Sequence, residues 1–162
     1  MIEEVAPDLE VGLLDGRARP LRAWLTTFHL VTAVLDPYTA ESAALLPTVT
    51  RIFRVYAEAD CRVAITVTCT GPEAREFLGP YADEFLVFTD PDRALVAGLG
   101  LTRLPALVHI RQDLSVAGCA EGWQPGAWRD VTDRLSKAMS WSRPVVPDLG
   151  DPAPFEGTLA AG

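Results

Sequence analysis

The sequence predicts an α/β fold in which a central mixed β-sheet is flanked by helices. Three observations carry that expectation. Two nearly continuous apolar and β-branched runs, His29 to Leu35 and Arg62 to Thr68, suit strands buried on both faces. Apolar residues at helical spacing fill the stretch between them, the mark of a crossover connection. Two further strand-like runs around Gln112-Asp113 read as an antiparallel hairpin, followed by an amphipathic helix.

The elements follow in order. Residues 10–20 suggest two short strands around an Asp15-Gly16 turn. Leu21 to Thr26 reads as a helical turn with Trp24 packing against the domain. After the first buried strand, Asp36-Pro37 predicts a helix start, with Asp as N-cap and Pro in the first turn. That helix is expected to run to about Ala59, with Leu45, Leu46, Val49, Ile52, Phe53 and Tyr56 on its apolar face. Pro47 within it should produce a kink, because its ring meets the carbonyl of Ala43.

Gly71-Pro72 opens a short helix to Leu78, and Glu84 to Phe88 is a shorter strand. Asp90-Pro91 repeats the capping signal for a helix over roughly 91–98, ended by Gly98 and Gly100. Strands at Pro105–Ile110 and Ser115–Cys119 form the hairpin. Pro125 opens the last helix, which places Trp128, Val131 and Leu135 on one face. Residues 1–142 read as one domain. Residues 143–162 read as an acidic, Pro/Gly-rich tail, either draped over it or disordered.

The composition narrows the function classes. With 162 residues, 49% of them hydrophobic, the chain can bury a core of its own. Fourteen basic against 22 acidic residues give a net charge of −8, and the arginines are scattered. Phosphate backbones and anionic lipid faces would repel such a surface, so neither nucleic acid nor a membrane is expected as a partner. No apolar run approaches the ~20 residues of a spanning helix. The opening Met1-Ile2-Glu3-Glu4 shows no secretory pattern, so the expected location is cytoplasmic. Cys61, Cys69 and Cys119 are far apart, without CxxC spacing, which argues against a disulfide scaffold and against zinc. His29 and His109 have no carboxylate or thiol partners in register and read as sheet histidines; no metal and no cofactor is expected.

Four features together resemble the thioredoxin-like superfamily, in its thiol-disulfide oxidoreductase and peroxiredoxin-related branch. They are Ala6-Pro7-Asp8 with Leu14-Asp15-Gly16-Arg17 and Pro20-Leu21, similar to that branch's N-terminal β-hairpin extension; an apolar strand running into a helix that contains Pro47; Leu104-Pro105 after Leu99-Gly100-Leu101-Thr102, similar to the family's cis-proline segment; and the closing hairpin and helix. The resemblance covers about residues 5 to 140.

The departure concerns chemistry. Aligning Pro47 with the family's helix proline places Tyr38-Thr39-Ala40-Glu41-Ser42 where the family carries W-C-x-x-C. Thr39 and Ser42 then stand at both cysteine positions. A hydroxyl there gains no thiolate from the helix dipole and cannot form a disulfide. The resemblance therefore implies a redox-inactive protein whose groove, formed by Tyr38, Thr39, Glu41, Ser42, Arg103, Leu104 and Pro105, binds a protein or peptide ligand. Arg103 is expected to reach Glu41 across the groove mouth, and Leu104 to offer its backbone to an extended peptide. The alternative is a monothiol oxidoreductase or redox sensor that uses Cys69 at the end of the second buried strand. A homo-oligomer joined through the tail stays open.

Overall fold

A computed structural model describes residues 2–162; Met1, the first residue of the expected domain, lies outside the described residues. At its centre is strand β3 (His29–Leu35), whose run of Leu, Val and Ala leaves no polar face to turn to water. It pairs parallel with β4 (Cys61–Val67) and antiparallel with β7 (Ala106–Ile110). Outward from β4 come β5 (Leu86–Thr89), then the hairpin β1 (Glu10–Leu13) and β2 (Ala18–Pro20). On the other side β8 (Val116–Glu121) closes the sheet, giving the order β2-β1-β5-β4-β3-β7-β8. The expected mixed sheet and N-terminal hairpin are both present.

Each face of the sheet carries its own apolar layer. On one, α1 (Ala40–Val55), α2 (Gly71–Leu78) and α5 (Pro125–Met139) cover Val31, Leu35, Ile65 and Leu107. On the other, a 3-10 turn at Leu21–Trp24, helix α4 (Ala94–Gly98) and the segment after it cover Leu30, Val34, Phe88 and Val108. Within β3 and β4 the buried polar atoms pair with each other: the Thr32 and Thr66 hydroxyls lie 2.8 Å apart. Among the described residues no helix is long and apolar enough to cross a membrane.

Three sequence expectations are corrected. Helix α1 begins at Ala40, not Pro37, because Thr39 and not Asp36 caps it: the Thr39 hydroxyl accepts from the Ser42 amide at 3.3 Å. Helix α4 begins at Ala94 rather than 91; Asp90 still serves its start from a distance, with its carboxylate accepting from the Leu95 and Val96 amides, both at 2.9 Å. A short helix α3 (Tyr81–Glu84), too brief to show periodicity, precedes β5. Pro47 lies inside α1, on its exposed side with Ala43, so the carbonyl it leaves unpaired faces solvent.

The tail lies against the domain. Asp151 pairs with Arg51 at 2.7 Å and accepts from the Thr48 hydroxyl at 2.8 Å. The Trp123 indole donates to the Pro152 carbonyl at 2.7 Å. Strand β9 (Thr158–Leu159) pairs antiparallel with a two-residue strand β6 (Arg103–Leu104).

His29 and His109 stand on neighbouring strands, with His29 Nδ1 and His109 Nε2 2.9 Å apart. His109 is 2% exposed, and burial, then the charges of His29 and Arg111, push its pKa down to about 4. Released into water on unfolding it titrates near 6.5, so the unfolded chain binds the extra proton between those values. This stabilisation is complete above pH 6.5 and is lost as pH falls toward 4. A shift from 6.5 to about 4 corresponds to at most roughly 3 kcal/mol. Urea unfolding at pH 7 and pH 4.5 should therefore show a smaller loss of stability on acidification in His109→Gln than in the unaltered chain. Equal losses in the two proteins would refute the assignment.

Candidate functional site

The chain turns from β3 into α1 through Asp36-Pro37-Tyr38-Thr39, and this turn is held by side chains reading its own backbone. The Thr39 hydroxyl donates to the Asp36 carbonyl at 3.0 Å while accepting from the Ser42 amide. The Ser42 hydroxyl, fully buried, accepts from the Asp36 amide at 3.0 Å. Both hydroxyls in the expected motif are thus engaged in shaping the helix start. Glu41 is exposed in the first turn of α1, where a carboxylate suits the helix dipole.

Asp36 is buried, 6% exposed, at the end of the central strand. Its Oδ1 accepts from the Tyr38 amide at 3.0 Å and its Oδ2 pairs with Arg93 at 2.9 Å. Arg93 precedes α4 in a left-handed conformation, with φ of 60°. Its other terminal nitrogen, Nη1, donates to the carbonyl of Ala160 at 2.6 Å. One guanidinium therefore joins the β3–α1 turn, the α4 start and the end of the tail.

Tyr38, largely exposed, reaches the head of α2, where its hydroxyl donates to Glu73. That bond, then desolvation and the Glu73 charge, raises the Tyr38 pKa to about 12 and lowers that of Glu73. Glu73 also accepts from the Thr70 hydroxyl at 2.7 Å and, as the reach-back half of a capping box, from the Thr70 amide at 3.4 Å. Pro37, Tyr38, Glu73, Glu76 and Phe77 line a small open cavity of about 220 Å³.

Facing this turn, the Leu104–Pro105 peptide bond is cis and both residues are buried. The Glu121 carboxylate holds the approach to it, accepting from the Thr102 amide at 3.1 Å, the Thr102 hydroxyl at 2.6 Å and the Arg103 amide at 2.9 Å. Arg103 does not pair with Glu41 as expected; its guanidinium instead donates to the Gly157 carbonyl of the tail at 3.4 Å. Leu104 does present its backbone to an extended segment, and that segment is Thr158 of the same chain.

Cys69 sits one turn beyond β4, 1% exposed. Burial first, then the Glu73 and Asp36 carboxylates, push its thiol up to about 12. Cys61 and Cys119 are also raised, each to about 11, mainly by burial. Cys61 lies at the far end of β4 from Cys69, roughly 20 Å or more along the strand. Cys119 packs on the opposite face of the sheet. All three are free. Among the described residues no group of three or more His, Cys, Asp or Glu is arranged to hold a metal ion.

The residues that sequence reasoning missed are Arg93, Glu121 and the tail strand. Asp36, a charge directly after a buried strand, was the visible sign that some cation must meet it. Nothing local marked Arg93 as that partner.

The architecture is a thioredoxin-like fold. No protein-family model matches the chain, and no curated protein is similar to it by sequence. Solved structures do match. A secreted disulfide oxidoreductase of Mycobacterium tuberculosis, homologous to E. coli DsbE, is 16% identical with a TM-score of 0.61, over 80% of this chain and 96% of that one. The bacterioferritin comigratory protein of Xanthomonas campestris, described for alkyl peroxide reduction, is 15% identical with a TM-score of 0.67, over 85% and 97%. A hypothetical protein of Sinorhizobium meliloti is 11% identical with a TM-score of 0.71, over 99% and 94%.

Arg93 and Asp36 provide a test of the site's construction. Arg93→Met leaves a buried carboxylate without its cation and should cost about 3 kcal/mol in urea unfolding. Arg54→Met, which breaks the exposed Arg54–Glu84 pair, should cost less than about 1 kcal/mol. Similar losses for both would show that Asp36 does not depend on Arg93.

Proposed function

We propose that this chain is a redox-inactive thioredoxin-like protein that uses the groove between the α1 start and Leu104-Pro105 as a binding surface for a protein or peptide. The observation that carries this reading is at the head of α1. Both hydroxyls there, Thr39 and Ser42, are spent on backbone hydrogen bonds, and on this reading they stand where the fold's oxidoreductases carry thiols. Thiol-disulfide exchange requires a thiolate to attack a disulfide sulfur, and an alcohol with a pKa far above water's working range supplies no such nucleophile.

Structural neighbours with oxidoreductase activity favour the alternative of a monothiol enzyme through Cys69. Its environment argues the other way. Reactive cysteines sit in exposed, electropositive surroundings, whereas Cys69 is buried and faces two carboxylates. Three free, mutually remote cysteines also support a cytoplasmic location.

Two measurements test this. The purified protein should reduce insulin disulfides and consume peroxide at no more than the background rate, and turnover that survives removal of contaminating reductase would overturn the reading. Under native conditions at pH 8, Cys69 should alkylate at least about a hundredfold more slowly than free cysteine, since a thiol near 12 is almost never ionised there. Alkylation as fast as free cysteine would restore the monothiol enzyme. The alignment itself has a direct check: Thr39→Cys with Ser42→Cys, one helical turn apart, should close an intrachain disulfide on mild oxidation, seen as loss of two titratable thiols.

A further inference from the structure

The tail contacts the domain in the manner of a bound peptide. Phe155 exchanges two backbone hydrogen bonds with Trp123, at 2.9 and 3.0 Å. Thr158 and Leu159 extend the Arg103–Leu104 edge as an antiparallel strand, and the Ala160 amide donates to the Thr102 carbonyl at 2.9 Å. Arg93 clamps the Ala160 carbonyl. Main-chain pairing at a free strand edge, with side-chain selection at a few positions, is how extended peptides are generally recognised.

Two positions select. Gly157 has φ of +91°, and a Cβ built there would lie 2.5 Å from the Leu104 carbonyl oxygen and 3.1 Å from the Gly122 Cα. Only glycine fits. Three residues on, Ala160 is 1% exposed within the apolar layer that contains Leu99, Leu101 and Leu104, which leaves space for a small side chain. Leu159 between them is mostly exposed and contributes little to selection.

The segment is joined to the domain by chain without helix or strand from the end of α5 to Phe155. Ahead of Phe155, this connection is pinned by Asp151 on Arg51 and by the Pro152 carbonyl on Trp123. Residues 155–162 can therefore leave the edge while the connection stays pinned, without unravelling the sheet. A tethered segment competes with an external ligand at an effective concentration of roughly millimolar.

We propose that the Thr102–Leu104 edge is a binding site for an extended segment of another protein bearing Gly-x-x-Ala (or Gly-x-x-Ser), and that the chain's own Gly157–Ala160 holds it closed. This deepens the groove-binding reading and rests on it. The free peptide then binds weakly until the tail is displaced.

The test uses the full chain, its Gly157→Val and Ala160→Glu variants, and a labelled synthetic peptide copying residues 153–162. A control peptide carries Val in place of Gly157. By fluorescence anisotropy, both variants should bind the peptide at least about tenfold more tightly than the unaltered chain, and none should bind the control. Hydrogen exchange should show the Ala160 amide released in the variants while the amides of β3 stay protected. Equal affinity for all three proteins, no binding to variants whose tail is released, or equal binding of the control would each overturn the proposal. If a variant loses β3 protection, the unaltered chain decides: millimolar peptide must accelerate exchange at Ala160, and no acceleration overturns it. Disulfide reductase activity alongside normal peptide binding would defeat the redox-inactive reading and leave this one standing.

Discussion

A carboxylate at the end of a buried central strand has to be paired, and that requirement organises this end of the molecule. Asp36 follows six consecutive buried residues of β3, Leu30 to Leu35, so its charge meets little water. Arg93 meets it from a left-handed backbone position directly before α4. Its second nitrogen reaches the Ala160 carbonyl, so the solution to one desolvation problem also holds the tail against the domain. The β3–α1 turn, the α4 start and the tail are three parts of a single electrostatic arrangement.

The hydroxyls at the head of α1 belong to the same economy of buried polar groups. Thr39 satisfies the Ser42 amide and the Asp36 carbonyl, and Ser42 satisfies the Asp36 amide. A thiol makes such bonds poorly, because sulfur is a weak donor and a weak acceptor. On the proposed reading, exchanging cysteine for hydroxyl residues here removes a nucleophile and tightens the turn at the same time. A turn of that kind orients the Asp36 carboxylate firmly enough to anchor a guanidinium.

How much of this was legible beforehand follows from the range of each interaction. The strands, the hairpins and α5 were readable because periodicity and apolar run length are local and strong. The start of α1 was misread because Asp36-Pro37 imitates a cap; the competing use of Asp36 by Arg93, 57 residues away, left no local trace. The same reason displaced the start of α4, where Asp90 reaches forward to amides five and six residues on. In the site, the expected extended segment beside Leu104 is met by Thr158 of the chain itself. That the partner is Thr158 was hidden, since pairing of two-residue strands carries no periodicity and the tail's composition suggests irregular chain.

An enzyme that exchanges disulfides has to admit a foreign polypeptide at its cis-proline edge in every turnover, so a tethered occupant there is a direct competitor of substrate. On the proposed reading this chain carries no such constraint, and occupancy of the edge sets only when a partner can enter. The two departures are physically compatible for that reason. On the same proposed reading Thr39 and Ser42 leave the edge without electron transfer to serve, while Gly157 and Ala160 give the tail the close backbone approach and the small buried side chain that the edge accepts. Glu121 holds Thr102 and the Arg103 amide through bonds in which no tail residue takes part, so the shape of the edge does not depend on the tail for these contacts.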